Sequence, residues 1–147
     1  MMLLPPEFKG LLSALASNKV EYLVVGGYAV IYHGYVRTTG DLDIWVALNA
    51  ENAARVESAV RSLGFNPPGL KAEWFTNRGS VLRIGHEPLR FDIVNDIDGV
   101  SFAECYARRI TAHLEDVEMH LISLEDLKTN KRATGRNKDL ADLDYLP

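Results

Sequence analysis

Cysteine is nearly absent from this chain of 147 residues, where Cys105 stands alone. One thiol cannot close an intramolecular disulfide, and no Cys or His lies near it at metal-site spacing. Cys105 therefore reads as buried packing. Long apolar runs are missing as well. No stretch approaches the roughly 18–20 residues that a transmembrane helix needs. The first residues, Met1 to Pro6, have neither the basic start nor the extended apolar region of a signal peptide. Charge of one sign is scarce: 16 Lys and Arg against 20 Asp and Glu leave a net charge of −4. That argues against passive nucleic-acid binding through bulk charge and leaves local basic patches. The four histidines are scattered and make no metal-ligand pattern; His33 and His86 read as helix-end and turn residues. No internal repeat, low-complexity tract or linker interrupts the chain. The expectation from these absences is a cytoplasmic protein with no membrane partner.

An ordinary apolar fraction, 47 %, is enough to bury a core in one domain over residues 1–147. Phe8, Leu11, Leu12 and Leu15 share one helical face, which predicts a helix over Pro6–Ser17. The β-branched and aromatic run Val20–Val25 predicts a buried strand that stops at Gly26-Gly27. A short helix over Tyr28–His33 and a polar connection over Val36–Gly40 follow. Asp41–Val46 then reads as a strand, with Leu42, Ile44 and Val46 on one face and Asp41, Asp43 and Trp45 on the other. Ala50–Leu63 is an amphipathic helix with Gly64 at its end. Asn66–Gly69 reads as a turn, and Trp74–Asn95 as two or three short strands. Among these, Val81–Ile84 and Leu89–Val94 form a hairpin around a Gly85–Pro88 turn. A short helix is expected over Ser101–Arg109 and a last strand over Glu118–Ile122. Ser123 caps a helix to about Thr134, with Asp126 completing a capping-box-like pattern. Gly135 breaks that helix, and a final one ends near Leu146, so C-terminal helices occupy about 123–146. Trp45 and Trp74 read as core. The fold class expected is mixed α/β (α+β): a mostly antiparallel sheet with packed helices and a site on an open sheet edge.

The chemistry concentrates in Gly26-Gly27 and, after a spacer, Asp41-Leu42-Asp43. Residues i and i+2 of a strand project from the same face, so the two carboxylates lie close enough to repel. Such a pair beside apolar residues calls for a compensating cation or a basic partner. Mg²⁺ and Mn²⁺ prefer oxygen ligands and bind nucleotide sites through one or two carboxylates plus phosphates. The Gly-Gly turn, between a strand and a helix, lets backbone approach an anion. Asp92, mid-strand among apolar residues, is the candidate third carboxylate. It would bind a metal on the side of an attacking hydroxyl and accept that hydroxyl's proton. Asp96 and Asp98, in Asn95-Asp96-Ile97-Asp98-Gly99, compete for that role, but their surroundings read as a turn. Arg37, on the loop before the Asp pair, is a candidate to reach a phosphate or to offset the Asp charges. Lys131 stands in a basic stretch with Lys128, Arg132, Arg136 and Lys138, while Asp139 and Asp142 are placed to support those cations.

The block Val25-Gly26-Gly27-Tyr28-Ala29-Val30, followed by Arg37-Thr38-Thr39-Gly40-Asp41-Leu42-Asp43-Ile44, resembles the DNA polymerase β-type nucleotidyltransferase superfamily. It is most similar to the small bacterial members that include the AbiEii-like toxin group. The stretches around Ser123-Leu124-Glu125-Asp126-Leu127 and Gly135-Arg136-Asn137-Lys138-Asp139-Leu140 extend the resemblance over about Val20–Leu146. At position 27 many members carry a serine that touches phosphate; glycine stands here. The resemblance implies a palm-like nucleotidyltransferase fold and transfer of a nucleoside monophosphate from a nucleoside triphosphate to a hydroxyl acceptor, whether protein, RNA or small molecule. It further implies a Mg²⁺ or Mn²⁺ cofactor held by Asp41, Asp43 and Asp92, and nucleotide contacts from Gly26, Gly27, Arg37 and Lys131. A toxin–antitoxin role, with an antitoxin-type partner or a second copy of the chain, accompanies it. The rival reading is a non-catalytic nucleotide- or partner-binding module that keeps the fold; intact Asp41, Asp43 and Asp92 argue against it. A dinucleotide-binding reading of Gly26-Gly27 lacks the rest of its glycine fingerprint.

Overall fold

A computed structural model describes residues 4–67, 70–86, 89–114 and 116–147. The elements in chain order are α1 (Pro6–Ser17), β1 (Tyr22–Val25), α2 (Gly26–Tyr32), β2 (Asp41–Val46), α3 (Ala50–Ser62), β3 (Val81–His86), β4 (Leu89–Val94), α4 (Phe102–Ala107), β5 (Ile110–Leu114), β6 (Val117–Leu121), α5 (Leu124–Thr134) and α6 (Asn137–Tyr145). The six strands form one sheet in the order β3-β4-β2-β1-β6-β5. Pairs β1–β2, β3–β4 and β5–β6 are antiparallel, whereas β2–β4 and β1–β6 are parallel. The sheet is thus mixed and mostly antiparallel, as expected.

Strand alternation divides the two faces. Leu42, Ile44, Phe91, Ile93, Leu82 and Ile84 are buried on one face, where α1 and α3 cover them. Phe8 of α1 meets Phe91 edge-on with ring centroids 6.3 Å apart. Phe8, Leu11, Leu12 and Leu15 are fully buried beside Val56 and Val60 of α3. Truncating one such leucine to alanine costs about 2–5 kcal/mol. Asn52, buried in α3, holds this layer to the sheet: its Oδ1 accepts from the Glu21 amide at 2.8 Å, and its Nδ2 donates to the Glu21 and Ala47 carbonyls at 3.1 Å. The other sheet face carries Asp41, Asp43 and Trp45. Trp45 is buried there against Phe102 of α4, with centroids 5.1 Å apart.

Four expectations need correction. Trp74 lies in a 3-10 helix, Ala72–Thr76, not a strand; Phe75 anchors it in the core with Trp74 edge-on beside it. β5 was not expected, because of its five residues only Ala112 is buried and the apolar alternation is weak. Gly85 and His86 belong to β3 rather than to a turn, with His86 opposite Leu89; residues 87–88 of that expected turn lie outside the described residues, as do 68–69 of the Asn66–Gly69 turn. The capping box is half formed. Ser123 Oγ accepts from the Asp126 amide at 3.2 Å, but the Asp126 carboxylate takes both Nε and NH2 of Arg108 instead of turning back.

Candidate active site

β1, β2, β4 and β3 set the polar face by register. Val25, Asp43, Asp92 and Arg83 lie directly opposite one another across these four strands. One pleat away, Asp41 is opposite Arg90. Three carboxylates therefore share one face, as the alternation of Asp41 and Asp43 requires, and the parallel β2–β4 pairing adds Asp92. The cluster lies in the middle of the sheet, not on an open edge, because β3 flanks β4 and β1 flanks β2.

Two guanidiniums compensate two of the three acids. Arg90 donates to Asp41 Oδ2 at 2.9 Å, and Arg83 donates to both oxygens of Asp92, at 2.9 and 3.3 Å. Asp43 has no hydrogen-bond or ion-pair partner among the described residues. Burial, and then the neighbouring charges of Asp92 and Asp41, push its carboxyl up to about 6, although Lys138 and Lys131 pull the other way. A carboxylate stripped of water and placed beside two others is electrostatically unsatisfied.

The Gly-Gly turn closes over this group. Gly26 has φ +66°, and a Cβ there would stand 2.1 Å from Asp43 Oδ2. A Cβ at Gly27 would stand 2.6 Å from Thr39 Oγ1. Both glycines are therefore required by close approach, and at position 27 the Thr39 hydroxyl fills the space beside the turn. The helix that follows is α2, and it starts at Gly26 itself, earlier than the sequence pattern indicates.

The opposite wall comes from α5 and α6. Lys131 is 3 % exposed, and its Nζ pairs with Asp139 at 2.9 Å and Asp142 at 3.0 Å. Arg37 takes both oxygens of Asp142, at 3.0 and 3.1 Å, and Arg136 pairs with Asp139 at 2.8 Å. Burial works to raise the Asp139 carboxyl, but hydrogen bonds from Thr134, Lys131 and Arg136 outweigh it and hold the group near 2. Three cations against two carboxylates leave this network positive. Lys138 is exposed beside it and adds a further positive charge. Arg37 and Lys131 both line the small recess beside Gly26 and Gly27, and their heads are engaged by Asp142 and Asp139. They set the potential of the wall. Lys138 and Arg136, the latter 74 % exposed, are the cations with freedom to reach a ligand.

Between the carboxylate face and this wall runs a cleft of about 650 Å³, bounded by Asp41, Asp43, Asp92, Lys131, Arg136 and Lys138. A smaller recess of about 140 Å³ continues beneath Gly26 and Gly27. Asp96 and Asp98 sit on the rim; Asp96 pairs with Arg78 at 3.1 Å. Cys105 is fully buried, and burial first, then Asp126, raise its thiol to about 12, so it remains an inert packing group. The sequence pattern does not single out Arg83, Arg90 or Thr39, and it marks Lys138 only as part of a basic stretch. Arg90 was within reach, since it alternates with Asp92 on one strand.

Among the described residues, no three Asp, Glu, His or Cys side chains stand close enough to hold a metal ion as they are. Asp41 and Asp92 are turned to arginines instead. The donor set still suits a hard cation: three carboxylates on one face, oxygen ligands only, with Asp43 lacking a direct counter-ion. No helix among the described residues is long and apolar enough to cross a membrane.

No curated protein matches the chain in sequence. A crystal structure of a presumed nucleotidyltransferase from Thermotoga maritima superposes with a TM-score of 0.64, covering 97 % of this chain and 93 % of that one at 16 % identity. At that identity the likeness establishes the fold alone. The family model described as "Nucleotidyltransferase of unknown function" matches residues 8–145. That span contains the Gly-Gly turn, the three carboxylates and the cationic wall, and the chain belongs to this nucleotidyltransferase family, DUF6036.

Proposed function

We propose that the cleft transfers a nucleoside monophosphate from a nucleoside triphosphate to a hydroxyl acceptor, which is a protein side chain, an RNA end or a small molecule. The observation that carries this reading is the charge division of one cleft: Asp41, Asp43 and Asp92 on the sheet, with Lys131 of α5, Lys138 of α6 and Arg136 between the two helices lining the same cleft. Triphosphate oxygens are drawn to the cationic wall and to the recess beside Gly26-Gly27, which Arg37, Lys131 and Lys138 line. Asp41, Asp43 and Asp92 would hold Mg²⁺ or Mn²⁺, which would neutralise charge on the phosphates and orient the reacting oxygens. The acceptor oxygen forms a bond to the α-phosphorus, the bond from that phosphorus to the α–β bridging oxygen breaks, and pyrophosphate leaves. Asp92, on the acceptor side, receives the hydroxyl proton. The buried Lys131–Asp139–Asp142–Arg37 network does not react; it fixes the wall in place.

The setting that accompanies this reading is the AbiEii-like toxin branch, acting in the cytoplasm with an antitoxin-type partner or a second copy of the chain. Incubation with nucleoside triphosphates labelled at the α-phosphate, Mg²⁺ and a panel of acceptors tests the chemistry. Label transfer that disappears in Asp43→Asn supports it. Triphosphate binding without transfer to any acceptor class favours the non-catalytic module.

A further inference from the structure

Arg83 and Asp92 stand opposite each other on the β3–β4 ladder, and the guanidinium takes both carboxylate oxygens. The partners sit in different surroundings. The Asp92 side chain is 12 % exposed, whereas that of Arg83 is 58 % exposed. Arg83 belongs to β3, an edge strand of the sheet, so its head can move into water at little cost. Asp92 is held by a buried strand segment and cannot follow. Arg90, across from Asp41, is deeper, at 23 % exposure, and a swing into water would cost it more packing. A guanidinium and a divalent cation on one carboxylate repel strongly at such short range.

We infer that Arg83 is the positioning residue of Asp92: its guanidinium occupies the carboxylate and aims it into the cleft, and it is exchanged for the divalent cation while Arg90 stays on Asp41. The inference rests on the reading of Asp92 as a cation ligand. Arg83 thereby sets how tightly the cation is held, and it swings out to the rim of the cleft as the site loads. Its pairing with Asp92 makes the loaded and unloaded states distinguishable by the arginine itself.

Two readouts on the full chain test this. The first is Mn²⁺ affinity by paramagnetic resonance for wild type, Arg83→Lys and Arg83→Gln. Removing a half-exposed competing ion pair should tighten Mn²⁺ binding in Arg83→Gln by roughly three- to tenfold. Arg83→Lys, with a one-point contact in place of the fork, should fall between. A purely structural arginine would alter melting temperature without raising cation affinity. The second readout is the Arg83 Nε–H resonance of the wild type, which should move to a solvent-exchanging position as Mg²⁺ is added. It decides the matter alone if the variants fail to fold. Unchanged or weaker Mn²⁺ binding in Arg83→Gln, or an Nε–H signal indifferent to saturating Mg²⁺, overturns the inference and leaves the site reading intact. Absence of Mn²⁺ binding in wild type and variants alike overturns both.

Discussion

Replacing Asp43 by asparagine should stabilise the cation-free protein. The Asp43 carboxyl moves from 3.8 to about 6 on folding, chiefly through burial and then through Asp92 and Asp41. An acid whose folded-state value lies above its unfolded value binds its proton more tightly when folded. Its cost to stability is absent below about pH 4, grows as pH rises, and is complete above about pH 6. The shift corresponds to about 3 kcal/mol at neutral pH. Asparagine keeps the shape and removes the charge. In chelator at pH 8, Asp43→Asn should therefore unfold later than wild type by up to about 3 kcal/mol, or roughly 6–10 °C for a chain of this size. At pH 4 the two should coincide. Urea unfolding across this range measures the difference directly. Adding Mg²⁺ at pH 8 should raise wild type and leave the variant unmoved, because a ligand stabilises only the state that binds it. A variant less stable than wild type at pH 8, or a difference independent of pH, would refute the claim that Asp43 is an uncompensated charge held for a ligand.

Other outcomes follow from the same geometry. Gly26→Ala places a Cβ 2.1 Å from Asp43 Oδ2 at a φ of +66°; unfolding should show a loss of at least about 1–2 kcal/mol, and triphosphate binding should be abolished. Lys131→Met removes a buried cation shared by Asp139 and Asp142 and should cost about 3–5 kcal/mol in urea titration. Lys138→Ala touches an exposed side chain, so stability should stay within about 0.5 kcal/mol, while the Kd for triphosphate rises several-fold and the binding becomes less salt-sensitive. Because cation ligands must be deprotonated, Mn²⁺ affinity should fall as pH drops through about 6, the value to which Asp43 is raised.

The strongest sequence signals came from residues whose period and neighbours agree. Phe8, Leu11, Leu12 and Leu15 mark α1; Asp41 and Asp43 share a strand face by alternation alone, and Asp92 reads as the centre of β4. What sequence could not supply was register. A turn over Gly85–Pro88 would close the hairpin on Ile84 and Leu89 and set Arg83 opposite Arg90. The observed pairing of His86 with Leu89 instead sets Arg83 opposite Asp92. That two-residue difference decides which acid carries a counter-ion. β5 was hidden because an edge strand with one buried residue has little apolar pattern. The role of Lys131 was half legible. Its basic neighbourhood pointed to phosphate, whereas the folding of α5 against α6 buries it between Asp139 and Asp142.

Calorimetric titration of Mn²⁺ and a non-hydrolysable nucleoside triphosphate into wild type and Asp41→Ala/Asp43→Ala tests the cleft most directly. Triphosphate binding that requires the cation and vanishes in the double variant is the predicted result. A folded wild type that binds no triphosphate at millimolar concentration, with Mn²⁺ present, would contradict it and leave the three carboxylates as an inherited feature of a non-catalytic module.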